Sequence, residues 1–283
     1  MSSLSHRLRL AYWLQLLGAH AILLAYAALA LFPIVLVLIN SFKMRKAIFK
    51  TPYALPNSET WSTVGYETVL ERANFPDYFV NSLIVTVSAL VLILIAGTMA
   101  AWALAEYRFP GNNIMSLYLA LGIMIPIRLG TVSILRLTVN LNIVDTLWAL
   151  ILVYTASGLP LAIFVLTNFM KQVPRDLKDA ARVDGASEYR IYRMILPLVR
   201  PAIGTVMVFN MIPIWNDLWF PLILAPSEAN KTVTLGAQTF LGQFISDWNA
   251  VLSSLTLSAV PVVILYIIFS RQLIRGLTAG AVK

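Results

Sequence analysis

Hydrocarbon side chains come along this chain in long unbroken runs, separated by short polar stretches. A run of roughly 20 apolar residues is what a helix needs to cross a bilayer. These runs are apolar on every side, whereas a soluble bundle would show one apolar stripe per helix. The pattern predicts an all-α polytopic membrane protein with six transmembrane helices. Residues 1–18 form an N-terminal segment and 19–42 the first span; no residue from 10 to 42 is charged. A polar loop follows over 43–79, where prolines and the aromatics Trp61, Tyr66, Phe75 and Tyr78 suggest short interfacial helices. A transmembrane core over 80–270 holds the other five spans, at about 80–104, 114–135, 147–170, 202–224 and 252–269. Pro126 and Arg128 interrupt the third, Gly158 and Pro160 are expected to kink the fourth, and Trp215, Asn216 and Asp217 form a polar cluster in the fifth. Residues 271–283 form a C-terminal tail.

Six spans put both termini on one side, and charge says which. The N-terminus, the turn at 106–113, the stretch 171–200 and the tail hold thirteen Lys and Arg; the three opposite loops hold six. Basic residues collect in cytoplasmic loops, so both termini are expected in the cytoplasm. Lys43, Arg45, Lys46 and Lys50 run against this bias, but their loop is long and four acidic residues follow. The first apolar run lacks a small-residue cleavage site and is expected to stay as an anchor. The same bias accounts for the net charge of +8 without a nucleic-acid partner. There is no cysteine, which excludes disulfides, thiolate metal sites and cysteine nucleophiles. The only histidines are His6 and His20, a poor basis for metal or imidazole chemistry.

The longest charged segment, 174–201, lies between the fourth and fifth spans. Its spacing predicts a helix pair over 174–196. Pro174 suits a helix start, and Asp176 and Asp179 complement the dipole there. Leu177, Ala180, Ala181 and Asp184 share a small, shallow face. Gly185 can take the left-handed turn that ends a helix. Ser187 can cap the next one, with Glu188 in its first turn, and Tyr189, Ile191, Tyr192 and Ile195 give that helix an apolar side. This local pattern fits a solvated connection between two spans as well as a docking surface.

The run Asp179-Ala180-Ala181-Arg182-Val183-Asp184-Gly185-Ala186, followed by Leu196-Pro197, resembles the cytoplasmic signature of binding-protein-dependent ABC importer permeases. That signature begins Glu-Ala-Ala and reaches Gly six residues after the Glu. Trp215-Asn216-Asp217 with Pro221-Leu222, Gly242-Gln243, Asp247-Trp248 and the ending Gly276-Leu-Thr-Ala-Gly280-Ala-Val-Lys283 resemble the carbohydrate-uptake branch, in particular its maltose-type second permease subunit. The likeness covers residue 80 to the end. It implies a coupling helix pair, carried by Asp179, Ala180, Ala181, Asp184, Gly185, Ala186, Leu196 and Pro197, that docks on a cytoplasmic ATPase dimer. It implies a tail, marked by Gly276, Gly280 and Lys283, that reaches toward the same dimer. The other implied partners are a second homologous permease, an extracytoplasmic solute-binding protein and the lipid of a bacterial inner membrane. Two departures stand out. Asp179 replaces the usual Glu, and the Gly-to-Leu-Pro interval is one residue short, about 100° of helix rotation.

No G-x-x-x-x-G-K-[ST] loop is present to cradle phosphates. The chain is therefore expected to be no enzyme and to bind no cofactor or metal, with ATP and Mg held by the partner ATPase subunits.

Charges at membrane depth are costly and usually functional. Arg128 and Asp217 qualify, while Arg136 can snorkel. They either pair with each other or with the partner permease, or they line a substrate path with Asn210, Trp215 and Asn216. The family usually has an uncharged residue near Arg128, so its presence motivates the hypothesis of an anionic group on the cargo. The rival to an importer is a secondary transporter or channel without ATP coupling, which usually shows two related halves; none is visible.

Overall fold

The computed structural model describes residues 2–242 and 246–279. Thirteen α-helices are present among them, with an isolated antiparallel bridge between Lys43 and Trp61. Four helices are long and apolar enough to cross a membrane: the Trp13–Ser41 part of α1 (Ser2–Ser41), α4 (Phe75–Glu106), α7 (Leu147–Gln172) and the Trp248–Ile268 part of α13 (Trp248–Ala279). Two further pairs pass the same test only together. Asn112–Met124 (α5) and Ile127–Asn140 are bent by 87°, the latter a 3-10 turn leading into α6 (Thr131–Asn140). Glu188–Ile195 (α9) and Arg200–Asn216 (α10) are bent by 72°.

Several boundaries move from their predicted places. The first helix runs from Ser2, because nothing in its first turns breaks a helix, and its membrane-length part, Trp13–Ser41, begins ahead of the first span expected from residue 19. The second span starts at Phe75: Pro76 sits in the first turn and Asp77 complements the dipole there, so a proline expected in the loop is a helix initiator. The predicted fourth span is one continuous helix, α7, with Pro160 inside it. The predicted fifth span divides at Asp217: α10 ends just before it, at Asn216, and the short α11 (Trp219–Leu224) begins two residues after it. The last helix runs to Ala279, so Gly276 is helical where a loose tail was expected. Gly280 and Lys283 lie outside the described residues.

The chain divides into two compact units. The smaller holds residues 1–73 and 240–257. Phe42 stacks on Trp61 and Tyr66, with ring centroids 5.0 and 4.8 Å away. Lys43 is fully buried, yet its ammonium donates to Asn40 Oδ1 at 3.1 Å and to the carbonyls of Thr51 at 2.9 Å and Pro52 at 3.3 Å. Burial draws its pKa below the ordinary lysine value. Asn249 donates to the Lys43 carbonyl at 2.7 Å, joining the start of α13 to this loop. A lysine that weighed against the predicted orientation thus serves as a staple within its own loop.

The larger unit holds residues 74–239 and, of the described residues after them, 258–279. Its axis is α4 against α7, with α5 and α10 beside them. Membrane helices gain no hydrophobic drive from lipid, so close approach of small residues holds them together. A Cβ on Gly97 would meet Ala162 Cβ at 3.2 Å, and one on Gly158 would meet Ile93 Cδ1 at 2.5 Å. Ala89, Ile93, Leu150, Leu166 and Ile195 fill the space around these contacts and are buried.

Candidate functional site

The charged segment folds as α8 (Arg175–Val183) and α9, close to the predicted pair. Gly185 ends the first helix with φ +75°, in the left-handed region that penalises a side chain. Ser187 caps the second, its hydroxyl accepting from the Arg190 N–H at 3.4 Å. Ile191 and Ile195 face inward and are fully buried.

The pair is clamped to the end of α4. Glu106, the last residue of that helix, accepts from Lys178 Nζ at 2.6 Å and from Arg182 at 2.6 Å. The Lys178 and Glu106 side chains are 5% and 10% exposed, so their charges are desolvated and must satisfy each other. Lys178 also lies 5.8 Å from the Trp102 ring centre. Arg182 donates in addition to Glu188 on α9 at 2.9 Å and to Asp179 at 2.9 Å. Its guanidinium is held above the ordinary arginine pKa, first by Glu188 and then by Glu106. Tyr107 closes the circuit, donating to Glu188 at 2.9 Å.

The expected docking residues divide accordingly. Asp179 is exposed but turned onto Arg182. Ala180, Asp184, Gly185 and Pro197 are exposed; Ala181, Ala186 and Leu196 are half-buried and pack against the core. The outward face keeps Leu177, Ala180 and Asp184 of the predicted set; Ala181 turns inward, and Val183, 87% exposed, stands beside Ala180 and Asp184. An exposed valine between small and acidic neighbours leaves this side of α8 shallow. Sequence reasoning missed Glu106, Lys178 and Val183. An acid ending an apolar helix was the available signal for the first, since a charge there needs a named partner.

A second polar cluster forms at two helix breaks. Arg128, in the turn between α5 and α6, reaches Asp217, between α10 and α11, at 3.3 Å. The Asp217 side chain is only 8% exposed and is saturated: it also accepts from Tyr154 at 2.9 Å and from the N–H groups of Trp219 at 3.2 Å and Phe220 at 3.1 Å. Arg128 is 66% exposed, 5.9 Å from the Trp219 ring centre, and Trp219 Nε1 donates to Thr131 at 3.0 Å. Asn216 is exposed, with its amide returned to the Ile212 carbonyl at 3.0 Å. Trp215 and Asn210 stand apart from this cluster. Trp215 is 2% exposed, donates to the Ser258 carbonyl at 2.9 Å and packs edge-on to Phe79. Asn210 is buried against Gly158 and donates to the Val206 carbonyl at 2.9 Å. Tyr154, Thr131 and Trp219 join the cluster without any sequence cue beyond their polarity. Among the described residues no group of His, Cys, Asp or Glu is placed to hold a metal ion.

The family of binding-protein-dependent transport system inner membrane components matches residues 93–278. A putative ABC transporter permease protein of Caldicellulosiruptor is 40% identical, over 83% of this chain and 88% of its own length. The diacetylchitobiose uptake system permease NgcG of Streptomyces coelicolor is 31% identical over 94% of this chain and 88% of its own. The arabinooligosaccharides transport system permease AraQ of Bacillus subtilis is 30% identical over 90% and 91%. Among solved structures, a chain of a bacterial ABC transporter that imports the acidic polysaccharide alginate superposes with a TM-score of 0.77 at 21% identity, covering 89% of this chain and 94% of its own. At that identity the likeness shows the fold.

Proposed function

This chain belongs to the binding-protein-dependent transport system inner membrane components, the permeases of ABC importers, and on that premise we propose that it forms half of the translocation path for a sugar or sugar derivative. Relatives named for the uptake of diacetylchitobiose and arabinooligosaccharides support that cargo class. The other half of the path is a second, homologous permease. A solute-binding protein delivers cargo on the outer side, and an ATPase dimer supplies the work on the inner side. Six spans place both termini in the cytoplasm, each bent pair including one crossing.

The observation that carries this reading is the clamped helix pair. Its outward face is exposed, while its inward face is tied by Glu106 to the second span and by the chain to the fourth and fifth. A push on α8 therefore reaches three membrane helices. The rival, a transporter without ATP coupling, gives such a pair nothing to do. Asp217 balances the charge of Arg128 at 3.3 Å, which removes the reason to expect an anionic cargo.

Purification of the tagged chain from membranes that express its whole transport system tests the reading. An ATPase subunit should co-purify with the wild type and be lost with Val183→Glu. Its absence from the wild type, or its equal recovery with both, would refute the coupling role.

A further inference from the structure

A cavity of about 830 Å³ opens beside the helix pair, between the 107–113 turn and the junction of α7 with α8. The end of α4, the start of α5 and the end of α7 meet there, so it lies at one surface of the membrane. Arg108, Lys171, Arg175 and Lys178 line it, and no acidic residue does. Lys178 is committed to Glu106. The other three are exposed, and among the described residues none of them has an ion pair or a side-chain hydrogen bond. A positive-inside bias puts cations on this side, but it does not require three to converge on one concavity.

A second feature adjoins the first. A narrow cleft of about 90 Å³ shares Leu104 and Lys171 with the cavity and runs between α5 and α7, past Ser116, Thr167 and Asn168. Thr167 is 7% exposed, and its hydroxyl has no partner. A threonine in a helix usually returns its hydroxyl to the preceding turn, and leaving a buried one unmet is costly. Beyond the cleft, Ile114, Leu117 and Tyr118 on α5 stand 74%, 61% and 70% exposed, as lipid-facing residues do.

We propose that the cavity and cleft together bind one anionic phospholipid. Arg108, Lys171 and Arg175 take its phosphodiester, the Thr167 hydroxyl and the Asn168 amide meet its glycerol esters, and its acyl chains lie along α5. Basic pockets between membrane helices suit such headgroups. A choline headgroup would bring its own cation against the three basic residues. A free phosphate would leave Thr167 unmet, and an acidic protein surface could not enter the cleft. The leaflet depends on the orientation proposed above; the site does not.

Native mass spectrometry of the assembled complex, released from nanodiscs of phosphatidylglycerol or phosphatidylcholine, tests this without any transport measurement. A failure here therefore leaves the importer reading standing. Wild type should retain phosphatidylglycerol and not phosphatidylcholine, and excess inorganic phosphate should not displace it. Arg108→Gln, Lys171→Gln and Arg175→Gln together should weaken retention roughly a hundredfold, each charge near a membrane surface being worth about fivefold. Ser116→Phe keeps every cation and fills the cleft; it too should lose the lipid, and it carries the test if the triple variant does not assemble. Equal retention of both lipids, displacement by phosphate, or wild-type retention in either variant would overturn the proposal.

Discussion

Arg182 and Glu106 lie 2.6 Å apart although 76 residues of chain separate them. With Lys178, this contact ties the α8–α9 pair to a long apolar helix, α4, that the chain itself does not connect to it. Removing one member of a buried ion pair costs about 3–5 kcal/mol, because the remaining charge is left unpaired in a dry site. Glu106→Ala should therefore lower the thermal stability of the assembled complex and uncouple uptake from ATP hydrolysis. Glu106→Leu combined with Lys178→Met, which removes the charge along with its partner, should recover part of the stability. A double variant as unstable as Glu106→Ala would show that packing, rather than charge, holds the joint.

Gly185 turns the chain between α8 and α9 at φ +75°, and a Cβ there would meet nothing within 4 Å. The cost of Gly185→Ala is therefore purely conformational, about 1–2 kcal/mol. Gly185→Asn should cost less, since asparagine tolerates this region. Melting temperatures of the three proteins should order Gly, Asn, Ala; a tie between Asn and Ala would count against a backbone origin.

At the helix breaks the two partners should differ in weight. Asp217 supports a tyrosine hydroxyl, two backbone N–H groups and Arg128, whereas the Arg128 side chain is two-thirds exposed. Asp217→Ala should cost about 1–3 kcal/mol by stranding buried donors, and Arg128→Gln about 1 kcal/mol or less. Uptake measurements add a second readout. Arg128→Gln should depress neutral and acidic sugar analogues alike; a loss confined to acidic ones would restore the case for an anionic cargo.

Gly158 lets α7 approach Ile93 on α4 and Asn210 on α10. Gly158→Val inserts three carbons where none fits, an overpacking that costs about 1–3 kcal/mol. Lower yield of folded complex on size-exclusion chromatography should report it. Adding Ile93→Ala should recover some of that yield by opening the Ile93 side of the contact.

The apolar runs showed the four membrane-length helices and the interrupted third run, because hydrocarbon length is a local property; the fifth was placed over α10 and α11, whereas the bent pair that reaches membrane length is α9 with α10. Pro174, Gly185 and Ser187 likewise placed the helix pair to within a residue or two, since caps and turns act over a few positions. The pairing of Arg128 with Asp217 was one of two open readings. What could not be read was long-range: an acid ending an apolar run signals a partner without naming it, and the two cations of Glu106 lie 72 and 76 residues away. One member of the predicted α8 face, Ala181, turns inward for a related reason. Spacing fixes which residues share a side of a helix, while the neighbouring elements decide which side turns inward.

One guanidinium on α8 serves three carboxylates, on α4, on α9 and on its own helix. The Asp179 and Glu188 arms fix the guanidinium on the helix pair, and the Glu106 arm, with Lys178 beside it, carries the connection to α4. In the importer proposed above, a displacement of α8 would pass to the end of α4 through this shared guanidinium and not through the chain.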